Sequence, residues 1–337
     1  MSYIEEKRKQ EKDKRKKGAV ILAVFVFVVA VLSVFSMFVP AESWKYYLAL
    51  PKVSARQDGE LRIHFLDVGQ ADSTLVEFPD GKTLLIDGGD VDGAKMVLRY
   101  LNALKIDRLD YLLLTHADTD HCGSLDEIVK YKKIGLAYLP NEQSDKTPTK
   151  NLAFESFAKT LVEYEVESKI AKRYDGFASS NENYPYIFSV LFPYSLTSGG
   201  NDGFDVNELS VVSALDYKGV TALFCGDTNQ KVASKLCKED ELGVFAEQGL
   251  ALNSVEILKY PHHGAYDGAN DEILSYLGVK TAVISCGKNN YYGHPSQETL
   301  TALNKIDAQV YRTDWHGTVM ITVSKTGEYK IDYSAKN

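Results

Sequence analysis

Residues 115–123 read Thr-His-Ala-Asp-Thr-Asp-His-Cys-Gly, and they put four side chains able to ligate a metal, His116, Asp118, Asp120 and His121, within six positions directly after an apolar run. Carboxylates this close repel one another unless a cation or hydrogen-bond donors neutralise them. Two readings follow. The segment holds a metal at the C-terminal end of a strand over Leu109–Thr115, or it is a polar turn that caps a helix, since Asp is frequent in both places. The rest of the chain favours the metal, because Gly226-Asp227, His262-His263-Gly264 and Gly293-His294-Pro295 each follow another strand-like run.

The surrounding pattern predicts an α/β domain of two sheets with helices between strands. Leu61–Val68, Ser73–Phe78 and Lys82–Ile86 read as a three-stranded meander with a hairpin signal at Pro79-Asp80-Gly81. Ala94, Val97, Leu98, Leu101 and Leu104 follow helical spacing, and a second helix is expected over Leu125–Tyr131. Residues 141–185 combine a polar loop, a helix near Leu152–Glu163 and a Gly/Ser/Asn-rich stretch over Gly176–Asn183; a lid or insertion would lie here. The second half repeats the rhythm, with strands over Tyr186–Phe192, Ser210–Tyr217, Thr221–Cys225, Val255–Tyr260 and Ala282–Ser285. Helices are expected over Gln230–Leu236, Asp271–Leu277 and Ser296–Ile306, and strands over Val310–Arg312, Thr318–Val323 and Tyr329–Tyr333 close the domain. Several strands thus end in a polar, metal-competent residue, the arrangement in which loops at one end of a scaffold converge on a site.

The beginning of the chain is different in kind. Residues 1–17 hold eight Lys or Arg against four acids, and residues 18–39 hold no charge. Those 22 residues span roughly 33 Å as a helix, enough to cross a hydrocarbon core. The basic flank Lys14-Arg15-Lys16-Lys17 places the N-terminus in the cytoplasm and everything after Pro40 outside. A cleaved signal peptide is the competing reading, but its apolar core is shorter, and Pro40-Ala41-Glu42-Ser43 is a poor exit site. The expected organisation is a cytoplasmic tail (1–17), a transmembrane helix (18–39), a linker (40–59) and a catalytic domain (60–337).

Charge restricts the partners. The formal net charge is −8, and the first 17 residues contribute +4, so the outward part carries −12. Duplex binding is driven by Lys and Arg neutralising phosphates, so a nuclease reading needs metal ions or a local basic patch, for which Lys259 and Lys288 are candidates. Cys122, Cys225, Cys237 and Cys286 show no CxxC spacing. Three of them sit at strand ends, where a small, weakly polar side chain packs well, so free buried thiols are expected, with zinc-thiolate ligation as the alternative.

Read together, these segments resemble the metallo-β-lactamase superfamily, and within it the extracytoplasmic hydrolase domain of the ComEC/Rec2 competence proteins. His116-x-Asp118-x-Asp120-His121 is similar to the superfamily's His-x-[His/Asp]-x-Asp-His signature, with Asp at the second ligand position. The competence-type branch is matched by Leu66-Asp67-Val68-Gly69-Gln70-Ala71-Asp72-Ser73, Ile86-Asp87-Gly88-Gly89, Asn207-Glu208-Leu209-Ser210, Cys225-Gly226-Asp227 and His262-His263-Gly264. It is matched again by Ser285-Cys286-Gly287 and by Asn290-x-Tyr292-Gly293-His294-Pro295. The resemblance runs from about residue 60 to 323 and implies an αββα four-layer sandwich. There are departures: the separate third histidine of many zinc β-lactamases has no counterpart, Ala71 stands where the branch has Gly, and Cys122 precedes a single Gly123. One N-terminal helix also stands where a competence transporter has a multi-helix channel, so DNA uptake by this chain alone does not follow.

The resemblance implies two divalent metal ions, zinc as first choice and manganese as the alternative. His116 and Asp118 would hold one, Asp120, His121 and His263 the other, and Asp227 would bridge them. Asp120, His262 and His294 are the candidate catalytic residues; His262 is expected to transfer a proton or support the ligands, because neighbouring side chains diverge and only one of the pair coordinates. Asp67 and Asp87 are expected to orient ligands or loops rather than touch metal. The implied function is a membrane-anchored extracytoplasmic phosphodiesterase or nuclease acting on DNA or nucleotides by attack of a metal-activated hydroxide. One alternative is a phosphodiesterase of cell-envelope polymers such as teichoic-acid phosphocholine. Another, of a different class, is a catalytically silent, membrane-tethered binding module.

Overall fold

The computed structural model describes residues 3–38, 41–141, 151–179, 181–194 and 207–334. The chain divides into two compact units, Met1–Ala49 and Leu50–Asn337. In the first, helix α1 (Tyr3–Phe38) carries both the basic segment and the uncharged run. Its apolar side chains, among them Val20, Leu22, Phe25, Phe27 and Leu32, are exposed. The span Glu5–Met37 is long and apolar enough to cross a membrane.

The second unit is built on two sheets. The first has eight strands in the order β15-β14-β1-β2-β3-β4-β5-β6: β1 (Leu61–Phe65), β2 (Thr74–Glu77), β3 (Thr83–Ile86), β4 (Arg108–Leu113), β5 (Lys133–Leu139), β6 (Ser168–Ile170), β14 (Val319–Val323) and β15 (Tyr329–Tyr333). The predicted meander β1-β2-β3 is antiparallel, and β3 to β6 run parallel. The second sheet has seven strands in the order β13-β12-β11-β10-β9-β8-β7. They are β7 (Gly176–Ala178), β8 (Tyr186–Phe192), β9 (Val212–Tyr217), β10 (Val220–Phe224), β11 (Ile257–Lys259), β12 (Thr281–Ile284) and β13 (Gln309–Arg312). Strands β10 to β13 are parallel.

Alternation within the strands makes the layers. Ile63, Phe65, Leu84, Ile86 and Leu113 of the first sheet meet Phe188, Val190, Leu215, Phe224 and Val283 of the second in a core between the sheets. The opposite face of the second sheet, through Val212, Leu223, Leu258 and Ile284, packs on Val232 and Leu236 of a helix at Gln230–Glu241, Leu274 and Leu277 of one at Asp271–Leu277, and Leu303 of one at Gln297–Lys305. On the outer face of the first sheet, His64 of β1 bonds the Tyr100 hydroxyl at 3.0 Å, in helix α2 (Ala94–Ala103). Sheets covered on both faces need strands that are apolar on both sides, which is why β3, Thr-Leu-Leu-Ile, is buried throughout. The result is the helix–sheet–sheet–helix sandwich.

Three strands fall where no strand was expected. Every residue of β6 is exposed and β5 is only partly buried, so neither has a hydrophobic period to detect. The Gly/Ser/Asn-rich stretch, whose composition points to no strand, begins with β7, because Phe177 stacks on Tyr111 at 3.7 Å and on Phe188 at 5.0 Å. The helix expected over Gln230–Leu236 continues to Glu241. Residues 142–150 of the polar loop, proposed as a lid or insertion, lie outside the described residues.

Candidate metal centre

Parallel strands leave their C-terminal ends on one edge, and the polar residues sit in the turns that leave it. Strand β3 leads to Asp87, β4 to Thr115 and His116, β10 to Asp227, β11 to His262 and His263, and β12 to Ser285. Cross-links fix these turns to one another. The N–H of Asp87 donates to the Leu113 carbonyl at 2.9 Å, that of Gly88 to His121 at 2.7 Å, that of Val211 to Thr115 at 2.9 Å and that of His262 to Gly226 at 3.1 Å. Asp118 is the extended residue before a one-turn helix at Thr119–Cys122, which directs Asp120 and His121 inward. Gly226 has φ +54°, and a Cβ there would stand 3.0 Å from the Thr115 Cβ. Its missing side chain is what lets Asp227 lie beside the His/Asp segment.

The six expected ligands converge. His116 Nε2 is 3.7 Å from Asp118 Oδ2 and 4.0 Å from Asp227 Oδ2. His121 Nε2 is 3.2 Å from Asp227 Oδ1, and His263 Nε2 is 3.0 Å from Asp120 Oδ2 and 3.5 Å from Asp227 Oδ2. The floor is closed, with the side chains of His116, His121, His263 and Asp227 no more than 4% exposed, whereas Asp118 at 49% and Asp120 at 33% form the open side.

Each buried imidazole has its far nitrogen occupied, which sets the tautomer. His121 Nδ1 donates to Asp87 Oδ2 at 2.8 Å, His116 Nδ1 to Thr115 Oγ1 at 3.1 Å and His263 Nδ1 to the Ser285 carbonyl at 2.9 Å. Thr115 in turn donates its N–H and its hydroxyl to Asp87, both at 2.8 Å. Asp87 thus accepts from both Thr115 and the His121 ring and holds them together. Asp67 is held at its backbone N–H by Thr318 Oγ1 at 3.1 Å.

Electrostatics show how tense this pocket is. Burial, then the neighbouring His121, lowers the His116 pKa to about 3. Burial pulls His121 the same way, but Asp227 and Asp87 overcome it and hold His121 well above its ordinary value. Burial alone would raise Asp227, yet His121 and His263 hold it well below the usual carboxylate range. Asp120 is held at about 2 against burial by its bond to His263, while burial and Asp120 push Asp118 up.

The donors fit divalent metal. His116 Nε2 is buried and has no hydrogen-bond partner, a costly arrangement unless a cation takes its lone pair, and the Asp227 carboxylate gathers three imidazoles around it. Imidazole and carboxylate are the donors such ions take. All seven histidines of the sequence are among the described residues, and His64 and His316 lie elsewhere, bonded to Tyr100 and Glu77 and to Arg312. No separate third histidine reaches the site.

His262 and His263 diverge, with rings 62° apart and side chains 29% and 3% exposed. Both take a left-handed backbone, φ +50° and +52°, a strained conformation that tends to persist at functional sites. His262 Nε2 stands 3.9 Å from Asp227 Oδ2. His294 is farther out, its ring 5.6 Å from that of His262 and 5.8 Å from Tyr292, and burial followed by His262 lowers its pKa.

Two residues of the pocket were missed as site residues. Asp72, in the turn between β1 and β2, is buried, and its carboxylate lies with His121, Asp227 and His263 in a group whose ligand atoms are all within 4.8 Å of one another. Lys259 does not line an open cleft; it is 3% exposed and its Nζ is 2.5 Å from Asp72 Oδ2. Lys288 is exposed. The signal for Asp72 was an acid beside a strand that carries no metal-ligand spacing of its own. All four cysteines are buried and free.

The sequence profile of the Metallo-beta-lactamase superfamily matches residues 66–288, and the chain belongs to that superfamily, whose members are metal-dependent hydrolases. Within it the similarity is to competence proteins. ComE operon protein 3 of Bacillus subtilis (strain 168) is 27% identical over 281 residues, covering 77% of this chain and 33% of the relative. Recombination protein 2 of Haemophilus influenzae is 25% identical over 268 residues, covering 77% and 28%. The chain thus spans about a third of the length of these curated relatives. Among solved structures, unliganded yeast PDE1 aligns with a TM-score of 0.45 and 11% identity, covering 75% of this chain and 97% of that one.

Proposed function

We propose that the chain is a membrane-anchored phosphodiesterase that uses two divalent metal ions to cleave DNA or nucleotides outside the cytoplasm. The observation that carries this reading is the position of Asp227. Its Oδ1 faces His121, and its Oδ2 faces both His116 and His263, so one carboxylate stands between a His116–Asp118 group and an Asp120–His121–His263 group. Zinc is the first choice and manganese the alternative, since half of the six side chains are carboxylates. Two ions held there would lower the pKa of water and stabilise charge on the leaving oxygen. The protein's own part is orientation and proton handling. Asp87, Thr115 and the Ser285 carbonyl fix the rings, and the exposed faces of Asp118 and Asp120 admit the substrate. Asp120 orients the attacking water, and His262 and His294 at the rim donate to a phosphate oxygen or to the leaving group.

The competence-type relatives support DNA as the first substrate class, since one of them is named for recombination. The membrane arrangement we propose places residues 1–17 in the cytoplasm, 18–39 across the bilayer, 40–59 as a linker and 60–337 outside. A net charge of −12 beyond the basic tail supports a second reading, phosphodiester cleavage at the phosphocholine of an envelope polymer, because an acidic surface repels free DNA but attracts a cationic choline.

The test uses the full chain in detergent, stripped with chelator and reloaded with zinc or manganese. Substrates are bis(p-nitrophenyl) phosphate, a single-stranded DNA oligonucleotide and p-nitrophenylphosphorylcholine. Chelator-sensitive turnover that His116→Ala and Asp227→Ala both abolish is the expected result, and preference between the last two substrates separates the two readings. Turnover unchanged in both variants sinks the proposal. A protein that takes up no metal and has no activity is instead a silent tethered module.

A further inference from the structure

The pair formed by Asp72 and Lys259 has no place in the ligand scheme above, yet it lies inside the same pocket. Asp72 is 3% exposed and is pinned beside the His/Asp segment, because its N–H donates to the Asp120 carbonyl at 3.1 Å. Its Oδ1 has no hydrogen-bond partner, while Oδ2, which the Lys259 ammonium meets at 2.5 Å, also stands 4.0 Å from His121 Nε2. Once His121 gives up its Nε2 proton, that nitrogen and the carboxylate present lone pairs to one another across a dry pocket, an arrangement that a cation between them relieves. Atoms that share one zinc ion at about 2.0–2.2 Å are at most roughly 4 Å apart, so a group within 4.8 Å of one another needs only a small contraction to close on an ion.

Lys259 supplies the second observation. It ends β11, and its ammonium contacts Asp72 Oδ2 at 2.5 Å and donates to the Tyr260 carbonyl at 3.0 Å. Buried this deeply it touches neither solvent nor substrate. A buried ion pair built only for stability would be expected to satisfy its oxygens fully, whereas this one leaves carboxylate capacity toward His121 and Asp227.

We propose that Asp72 is a ligand of the metal held by His121 and His263, and that Lys259 is the positioning residue that aims its carboxylate. The inference rests on the metal-site reading above. It extends the donor set of that group to Asp72, Asp120, His121, Asp227 and His263, with Lys259 offsetting one of the three carboxylate charges.

The metal-induced rise in Tm of the full chain in detergent separates this role from a purely structural ion pair, measured with zinc and with manganese for wild type, Asp72→Asn and Lys259→Met. Asp72→Asn is expected to shrink the rise and to weaken metal binding roughly 10–100-fold. Lys259→Met is expected to enlarge it, because the metal-free protein then carries an uncompensated Asp72 that the metal neutralises. Equal losses of Tm with and without metal in both variants, at unchanged metal stoichiometry, overturn the proposal. No rise in the wild type overturns the underlying metal reading together with this one, whereas a rise that Asp72→Asn leaves intact overturns this one alone. Should Lys259→Met fail to fold, anomalous scattering from metal-loaded wild-type crystals decides. An ion within about 2.2 Å of an Asp72 oxygen supports the assignment, and an ion out of bonding range of both oxygens refutes it.

Discussion

Replacing Asp87 by Asn changes one atom type in the pocket and reverses a tautomer. In the native protein Asp87 accepts three bonds, from His121 Nδ1, the Thr115 N–H and the Thr115 hydroxyl, each at 2.8 Å. Because Asp87 holds the Nδ1 proton, the proton that charged His121 would give up to a metal is the one on Nε2, which faces Asp227 and Asp72. An amide at position 87 turned to keep the Thr115 N–H bond would place its NH2 against His121 Nδ1, which must then accept, and the ring proton moves to Nε2, where a metal would bind. Oriented carboxylates of this kind are worth 10- to 100-fold in metal affinity, or about 1.4–2.8 kcal/mol. The metal-free protein loses in addition a charge-assisted bond between two buried groups, worth about 1.5–3 kcal/mol. Zinc affinity by competition with a chelating dye, with circular dichroism to confirm the fold, measures the first quantity. A folded Asp87→Asn variant that binds zinc as tightly as wild type would refute the argument that Asp87 sets the His121 tautomer.

Asp227→Ala should remove both metals rather than one, since its carboxylate lies between the two groups; elemental analysis that still finds one tightly held ion per chain contradicts the bridging position. Metal binding near pH 7 should release protons, because Asp227 and Asp87 hold His121 in its charged form and a ligand must be neutral. Calorimetry in two buffers of different ionisation enthalpy reads the release, and none at that pH counts against the charged His121. In the metal-free protein the contribution of His121, whose folded value is raised, should be complete below its ordinary value of 6.5 and be lost as pH rises. That of Asp227, whose value is depressed, should be present above its ordinary 3.8 and be lost in acid. Metal-free Tm against pH should therefore peak between these limits, and a Tm that climbs steadily into alkali is the contrary result. Gly264→Ala should destabilise by about 1–3 kcal/mol, because φ is +87° and the new Cβ would sit 2.5 Å from the Pro295 Cβ; an unchanged Tm would mean that the loop carrying His263 is not held by this contact.

What the sequence alone determined is local. The hairpin at Pro79-Asp80-Gly81 set the antiparallel register of β2 and β3, helical spacing found α2, and four side chains able to ligate a metal, crowded after β4, left a metal site and a capped polar turn as the two local readings. The resemblance then ordered the remaining motifs, so that Asp227 and His263 could be assigned to the same centre although 106 and 142 residues separate them from His121 in the numbering. Tertiary structure decided what depends on pairs with no local signature. Strands β5, β6 and β7 are specified by what they pair with rather than by their own pattern. His262 and His263 are chemically equivalent in sequence, and only a left-handed turn beside Ser285 separates the buried one from the half-exposed one. Asp72 belongs to the turn between β1 and β2 of one sheet and Lys259 to the last position of β11 in the other, and neither looks unusual by itself; they meet beside His121 only because the two sheets bring that turn and that strand end together, where burial in a dry pocket makes an ordinary charge pair part of the site's electrostatics.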